Sequence, residues 1–173
     1  RRQAAVQLGR LGDRSAVLPL IAALQDGESA VRREAARALG QLKDERAVPS
    51  LIQSLGDDDA NVRGYAAYAL GEIRDARAAD ALLLALADPQ WTVRDQAAWA
   101  LRELSDPKLG SRLAALLSQP PVDAEAVMWL LQQMGPEHSL KIFAELLTEP
   151  DPSVRLRAVR ALAATNHARR FEL

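Results

Sequence analysis

The sequence has no cysteine, only two histidines, and seven aromatic residues among its 173 positions. Without cysteine the chain can form no disulfide, no thiolate metal site and no cysteine nucleophile. It has no apolar run approaching the roughly 18 residues of a membrane-spanning helix, and no secretory signal pattern, so we expect a cytoplasmic location. The formal net charge of −1 excludes a global electrostatic attraction to nucleic acid or to an anionic membrane.

Alanine and leucine dominate the composition, whereas β-branched and aromatic residues are few, and this bias favours helices over strands. The sequence repeats with a period of 31 positions. A Val-Arg pair starts at positions 31, 62 and 93 and returns at 154, and Arg1 falls in the same series. Aspartates follow the same period at Asp13, Asp44, Asp75 and Asp106. Several residue types recurring in one register indicate a tandem repeat.

Each repeat contains two segments with helical hydrophobic spacing. In residues 28–42, Val31, Ala35 and Leu39 share one helix face, and residues 45–55 show a similar pattern. We call the helix near 45–55 the A type and the helix near 28–42 the B type. A single hairpin cannot bury its apolar faces, whereas stacked hairpins share a continuous core. The sequence therefore predicts an all-α fold, an α-solenoid of about five two-helix repeats.

The register sets the expected boundaries of the repeats within one array over 1–173. The units are a half repeat at 1–11, followed by 13–42, 44–73, 75–104, 106–134 and 136–165. Because the chain starts inside a repeat and without methionine, we expect the array to be truncated at its N-terminus, and truncation at the C-terminus stays open.

Aspartates and prolines punctuate the predicted helices. Asp44 is expected to cap one helix, and Asp151 precedes Pro152 in the order typical of a helix start. Pro19 and Pro49 lie about five residues into A helices, where a missing backbone donor is expected to bend the helix.

The segment from Asp57 to Leu86 reads DDDANVRGYAAYALGEIRDARAADALLLAL. It resembles the HEAT-like repeat of phycobilin-lyase type, whose short repeat reads D-x-x-V-R-x-x-A-A-x-A-L-G-x-I-x-D. The likeness covers nearly the whole chain and is strongest over residues 1–104. It implies a right-handed superhelix in which the B helices line the concave side.

The resemblance also implies an Asp–Arg ladder across the repeats. The pairs lie six positions apart and are Asp26/Arg32, Asp57/Arg63 and Asp88/Arg94, with Glu149/Arg155 as a conservative version. Such an arginine can bond loop carbonyls and a carboxylate, and so tie neighbouring hairpins together. We therefore interpret these residues as structural rather than ligand-binding.

The fourth repeat departs from the pattern. Gln119, Asp123 and Ala124 stand where Asp, Val and Arg are expected, and Pro120-Pro121 extends the loop. We expect a break in the ladder and a change of curvature near 118–124.

No catalytic constellation, metal site or cofactor site is found in the sequence. His138 and His167 lie in different repeats, and neither has a second ligand at i+3 or i+4. The deoxyhypusine hydroxylase family, which also has HEAT-like repeats, needs repeated His-Glu pairs for its di-iron centre. The comparable positions here are Arg33-Glu34, Gly64-Tyr65 and Asp95-Gln96. We therefore expect no enzymatic activity, no metal and no cofactor.

The aromatic residues fall at equivalent positions of the B helices. One position holds Arg37, Tyr68, Trp99, Trp129 and Arg160, and the position three residues earlier includes Tyr65 and Arg157. These positions vary while the neighbouring alanines, valines and leucines stay constant, so we expect them to face outward. The predicted partner-binding strip on the concave face is Tyr65, Tyr68, Trp99, Trp129, Arg37, Arg157 and Arg160, with Trp91 at its edge.

Several functions fit this pattern. Exposed Trp, Tyr and Arg are the residues that dominate binding hot spots, which favours a scaffold for another protein or peptide. A phycobilin lyase or a tetrapyrrole chaperone is the alternative that the family likeness implies. Nucleic-acid binding is a further alternative, but Glu72, Asp95 and Glu103 beside the strip argue against it. The array could also dock or regulate other domains of a longer chain, and the rings could instead fill gaps between B helices.

Overall fold

The computed structural model describes residues 1–104, 106, 108–117, 130–131 and 136–169, and every regular element within these ranges is helical. The predicted all-α fold is therefore confirmed for this part of the chain. The chain divides into two compact units, residues 1–105 and 106–173, and each is described by itself. In the described ranges no helix combines the length and the apolarity needed to cross a bilayer.

The first unit is a stack of helical hairpins in two layers. Its B helices are α1 (Arg2–Leu11), α3 (Ser29–Leu42), α5 (Ala60–Ile73) and α7 (Trp91–Leu104). Its A helices are α2 (Val17–Ala23), α4 (Val48–Ser54) and α6 (Ala79–Ala85). Each B helix packs against the next B helix, while α2, α4 and α6 pack on α3, α5 and α7. This is the repeat architecture that the 31-residue period predicts.

Small residues let the B helices approach one another closely. Ala35, Ala66 and Ala97 are fully buried at equivalent positions. A Cβ atom on Gly71 would lie 2.8 Å from the Cα atom of Ala100, and real side chains do not tolerate that distance. The recurring glycine is therefore required by packing, not by a turn.

The A helices differ from the sequence-based expectation. Each begins with a 3₁₀ turn, at Arg14–Ala16, Glu45–Ala47 and Ala76–Ala78, and continues as a short α-helix. Pro49 thus lies in the first turn of α4, where its missing N–H needs no partner. The helix α6 has the same 3₁₀ start without proline, so proline does not cause this start. The expected bend at Pro19 and Pro49 stays a prediction.

The second unit contains α8 (Leu109–Leu117), α9 (Pro136–Leu147) and α10 (Pro152–Arg169). The helix α9 packs against both α8 and α10, and Phe143 on α9 is buried. The Asp151 carboxylate accepts a hydrogen bond of 2.8 Å from the Ser153 N–H, which confirms the predicted start of α10. The predicted break near 118–124 lies outside the described residues.

Candidate functional site

Arginines near the starts of α3 and α5 join the loop before each helix to the following repeat. Arg32 donates from Nε and Nη2 to the two carboxylate oxygens of Asp57, at 2.7 and 2.8 Å. Its Nη1 donates to the main-chain carbonyl of Asp26 at 2.9 Å. Asp26, six positions before Arg32, therefore contributes its main-chain carbonyl. The carboxylate belongs to Asp57, which lies 25 positions after Arg32.

The same geometry recurs along the chain. Arg63 donates to the Asp88 carboxylate at 2.6 and 3.0 Å and to the Asp57 carbonyl at 2.7 Å. In the second unit, Arg155 donates to the Glu149 carbonyl at 2.7 Å. Bidentate pairs of this kind fix both distance and orientation, so these contacts set how one repeat sits on the next.

The ladder continues at both ends of the first unit in altered form. Arg94 donates from Nη1 to the carbonyls of Asp88 and Pro89, at 2.8 and 3.1 Å. The residue 25 positions after Arg94 is Gln119, which has no carboxylate and lies outside the described residues. At the other end, Arg1 bonds the Asp26 carboxylate at 2.7 Å.

A second series of aspartates caps the 3₁₀ turns. The Asp44 carboxylate accepts from the Arg46 N–H at 3.0 Å and from the Arg46 guanidinium at 2.8 Å. The side-chain hydrogen bond from Arg46, together with its backbone hydrogen bond, lowers the pKa of Asp44 to about 2. The hydrogen bond from Arg32 likewise lowers the pKa of Asp57. Both carboxylates are thus ionised in the folded chain at neutral pH.

A cavity of about 400 Å³ lies beside the first rung of the ladder, bordered by Asp26, Arg32 and Asp57. Arg32 donates hydrogen bonds to both aspartates, so the cavity adjoins a structural ion pair. Among the described residues, no group of three or more His, Asp or Glu side chains is arranged to hold a metal ion.

The aromatic residues of α5 and α7 form a stacked pair. The rings of Tyr68 and Trp99 have centroids 5.3 Å apart and an interplanar angle of 17°. Both side chains are half-buried, and Trp99 lies against Gly71 of the preceding B helix. Burial, followed by the nearby Glu72 carboxylate, raises the pKa of the Tyr68 phenol. The rings therefore contribute to packing between repeats and also remain accessible at the surface.

We define the aromatic face as one side of the helices α3, α5 and α7. On α3 it consists of positions 33, 34, 37 and 41, and on α5 and α7 of the positions 31 and 62 residues later. Tyr65 lies on it with 37% of its surface exposed. Arg37 lies on it too, held by Glu34 through a 2.8 Å hydrogen bond. Trp91, the first residue of α7, is 64% exposed, two helical turns before Trp99.

The other residues of the predicted strip belong to the second unit or lie outside the described residues. Arg157 is half-buried and Arg160 is exposed, both on α10 of the second unit. Trp129 lies outside the described residues. The structure thus brings together Tyr68 and Trp99 from the predicted set, with Tyr65 and Arg37 on the same face.

Two ion pairs that border the aromatic face were missed by the sequence analysis. Lys43 bonds Glu72 at 2.7 Å, and Arg74 bonds Glu103. Lys43 and Arg74 end their helices in the left-handed conformation, with φ of 50° and 61°, as Gly12 does with φ of 68°. The signal was available, because Gly12, Lys43 and Arg74 are 31 positions apart and glycine is typical of a helix C-terminus.

Comparison with solved structures shows related folds. The chain is similar to the complex of CpcE and CpcF of phycocyanin lyase from Nostoc sp. PCC7120, with 28% identity, a TM-score of 0.56, and coverage of 84% of this chain and 63% of that chain. It is also similar to YibA of Escherichia coli, with 22% identity, a TM-score of 0.54, and coverage of 91% of this chain and 62% of that chain. The chain thus spans less than two thirds of the length of either protein. At 22% identity the second likeness shows the fold alone.

Comparison with sequence families gives one clear assignment. No curated protein matches the sequence. The family model of HEAT repeats matches residues 1–60 and 48–125, which together make up most of the chain. The resemblance inferred from the Asp57–Leu86 segment is therefore confirmed, and the chain belongs to the HEAT-repeat family.

Proposed function

We propose that this chain is a non-catalytic scaffold that binds another protein or peptide on the B-helix face. The stacked pair of Tyr68 and Trp99 is the observation that carries the proposal, because both rings stay partly exposed on the surface of α5 and α7. Tyrosine and tryptophan are strongly enriched among residues that dominate binding energy. In the family likeness this face is the concave side of the superhelix.

The proposed face extends beyond the ring pair. Tyr65 and Arg37 lie beside it and Trp91 lies at its edge. Trp129, Arg157 and Arg160 occupy the equivalent positions in the later repeats of the sequence, and their part in binding stays a prediction. A fully covered aromatic anchor typically contributes about 2 kcal/mol or more to binding.

Affinity capture with matched variants tests the proposal. The wild-type chain, Tyr68→Ala/Trp99→Ala, and Leu18→Ala/Leu84→Ala serve as baits, and each captured protein is then purified and titrated against all three. Leu18 and Leu84 are exposed on the A helices, at 63% and 65%, so their loss removes surface apolar area away from the aromatic face. We expect the partner to bind wild type and the leucine variant but not the ring variant.

A partner that binds the ring variant as tightly as wild type would contradict the proposal. A partner lost only from the leucine variant would move the binding surface to the A helices. Circular dichroism of each bait separates these results from unfolding.

A second candidate function is the handling of a tetrapyrrole, as a lyase-type or chaperone-like subunit. The likeness to the CpcE–CpcF complex of phycocyanin lyase supports it, and flat rings such as Tyr68 and Trp99 can stack on a conjugated chromophore. Titration of biliverdin into the chain tests this candidate. A shift of the visible absorption band that disappears in Tyr68→Ala/Trp99→Ala supports it, whereas an unchanged spectrum excludes it.

A further inference from the structure

The ring pair of the aromatic face is already ordered without a partner. Trp99 is held between Tyr68 and the surface of Gly71, where a Cβ atom would lie 2.5 Å from the indole Cζ3 atom. Burial, followed by the nearby Glu72 carboxylate, raises the pKa of the Tyr68 phenol. Because the rings are already ordered, little of their side-chain entropy is lost when a partner covers them.

The charges around the rings balance. Within positions 29–104, the aromatic face and the C-caps of its helices carry four cationic and four anionic side chains. The cations are Arg33, Arg37, Lys43 and Arg74, and the anions are Glu34, Glu72, Asp95 and Glu103. A surface with no net charge exerts no long-range attraction on a basic or an acidic segment.

Most of these charges are also neutralised within the chain. Glu34 is bonded by Arg37 at 2.8 Å and by Arg33 at 3.3 Å. Across the repeats, Lys43 bonds Glu72 and Arg74 bonds Glu103. A basic partner would have to compete with Lys43 and Arg74 for their carboxylates. An acidic partner would have to draw the same cations away from them.

We infer that the aromatic face binds an apolar segment of a partner protein. This segment carries no net charge and contacts the rings through aliphatic or aromatic side chains. This inference rests on the proposed function and adds the chemistry of the partner to it. The face has an apolar centre and a rim of self-paired charges, the arrangement found in protein interfaces with an apolar core and a polar rim. Binding should therefore depend only weakly on ionic strength.

Selection from a random peptide library tests the inference. A phage library of peptides of about 12 residues is panned on the 173-residue chain and counter-selected on Tyr68→Ala/Trp99→Ala. Tyr65→Ala, which removes an exposed ring outside the stacked pair, is a second variant in case the double variant fails to fold. Selected peptides are synthesised and titrated against wild type in about 50 mM and about 500 mM NaCl, which spans weak and strong screening.

We expect the selected peptides to be rich in leucine, phenylalanine and tryptophan and to carry little net charge. Their affinity should fall by at least about tenfold in a ring variant and change by less than about twofold between the two salt concentrations. Peptides rich in lysine and arginine, or in aspartate and glutamate, with salt-sensitive affinity would overturn the inference while leaving the proposed function standing. Peptides that ignore the ring substitutions, or no selected peptides at all, would overturn both.

Discussion

Arg63 holds the carboxylate of Asp88, a residue of the following repeat, through two hydrogen bonds of 2.6 and 3.0 Å. Its third contact, 2.7 Å to the carbonyl of Asp57, lies in its own loop. The side chains of Arg63 and Asp88 are only 13% and 8% exposed. In a repeat protein, stability is roughly the sum of single-repeat terms and neighbour terms, and this pair is a neighbour term with a defined geometry.

Replacing Arg63 should destabilise the first unit markedly. In Arg63→Ala the mostly buried Asp88 carboxylate loses its partner, and we expect the free energy of unfolding to fall by about 2–3 kcal/mol in urea denaturation. Arg77→Ala is the matched control, because Arg77 is also paired with an aspartate but is 59% exposed, and exposed pairs contribute little. Equal losses in the two variants would show that the ladder does not couple the repeats.

Stability should decrease in acid. The hydrogen bonds from Arg46 lower the pKa of Asp44 from 3.8 to about 2, and Arg32 lowers that of Asp57. A lowered folded-state pKa contributes stability that is present above the unfolded value and is lost as pH falls through the folded one. We therefore expect the urea midpoint to fall as pH is lowered from about 4 to about 2. The decline should be smaller in Asp44→Asn, and an identical decline would contradict this role of Asp44.

Two glycines of α5 should respond in opposite ways to the same substitution. A Cβ atom on Gly71 would lie 2.5 Å from Trp99 and 2.8 Å from the backbone of Ala100, so Gly71→Ala should cost about 1–3 kcal/mol through overpacking. At Gly64 no atom lies within 4 Å of the added Cβ, so Gly64→Ala should stabilise the helix by up to about 1 kcal/mol. Thermal or urea unfolding measures both. A Gly71→Ala variant as stable as wild type would mean that α5 and α7 lie farther apart than the structure shows.

Much of the fold could be predicted because the repeat copies its packing residues. The alanines, the valines and the glycine recur every 31 positions, and burial of one copy implies burial of the others. Gly40 and Gly71 carry no turn conformation, and their helical context already indicated close packing of helices.

Other features could not be derived from local spacing. The spacing of six relates Asp57 to Arg63, yet the carboxylate that Arg63 binds belongs to Asp88. Which carboxylate Arg63 binds depends on the distance between neighbouring hairpins in the stack, and the sequence spacing does not give that distance. Likewise, the register with Gly12 indicates the left-handed C-caps at Lys43 and Arg74. It does not show that their side chains reach Glu72 and Glu103, which depends on the distance between neighbouring helices.

The two interpretations of the rings, binding surface and packing between helices, could not be separated by sequence either. Trp99 stacks on Tyr68 and lies against Gly71, yet both aromatic side chains stay partly exposed. The position of each ring along its helix predicts the side of the helix on which it lies. How deeply the ring is buried depends on the side chains of the neighbouring repeat.

The proposed scaffold function requires that the ring pair of Tyr68 and Trp99 bind a partner protein. Its most direct test is an equilibrium titration of a captured partner or a selected peptide onto wild type and Tyr68→Ala/Trp99→Ala, with far-UV circular dichroism of both proteins under the same conditions. We expect an affinity loss of at least about tenfold, with helical content nearly unchanged because the core of alanine and leucine is intact. Equal affinity of the two proteins would contradict this function. If the double variant unfolds, Tyr65→Ala is titrated in its place, and binding as tight as that of wild type would contradict it.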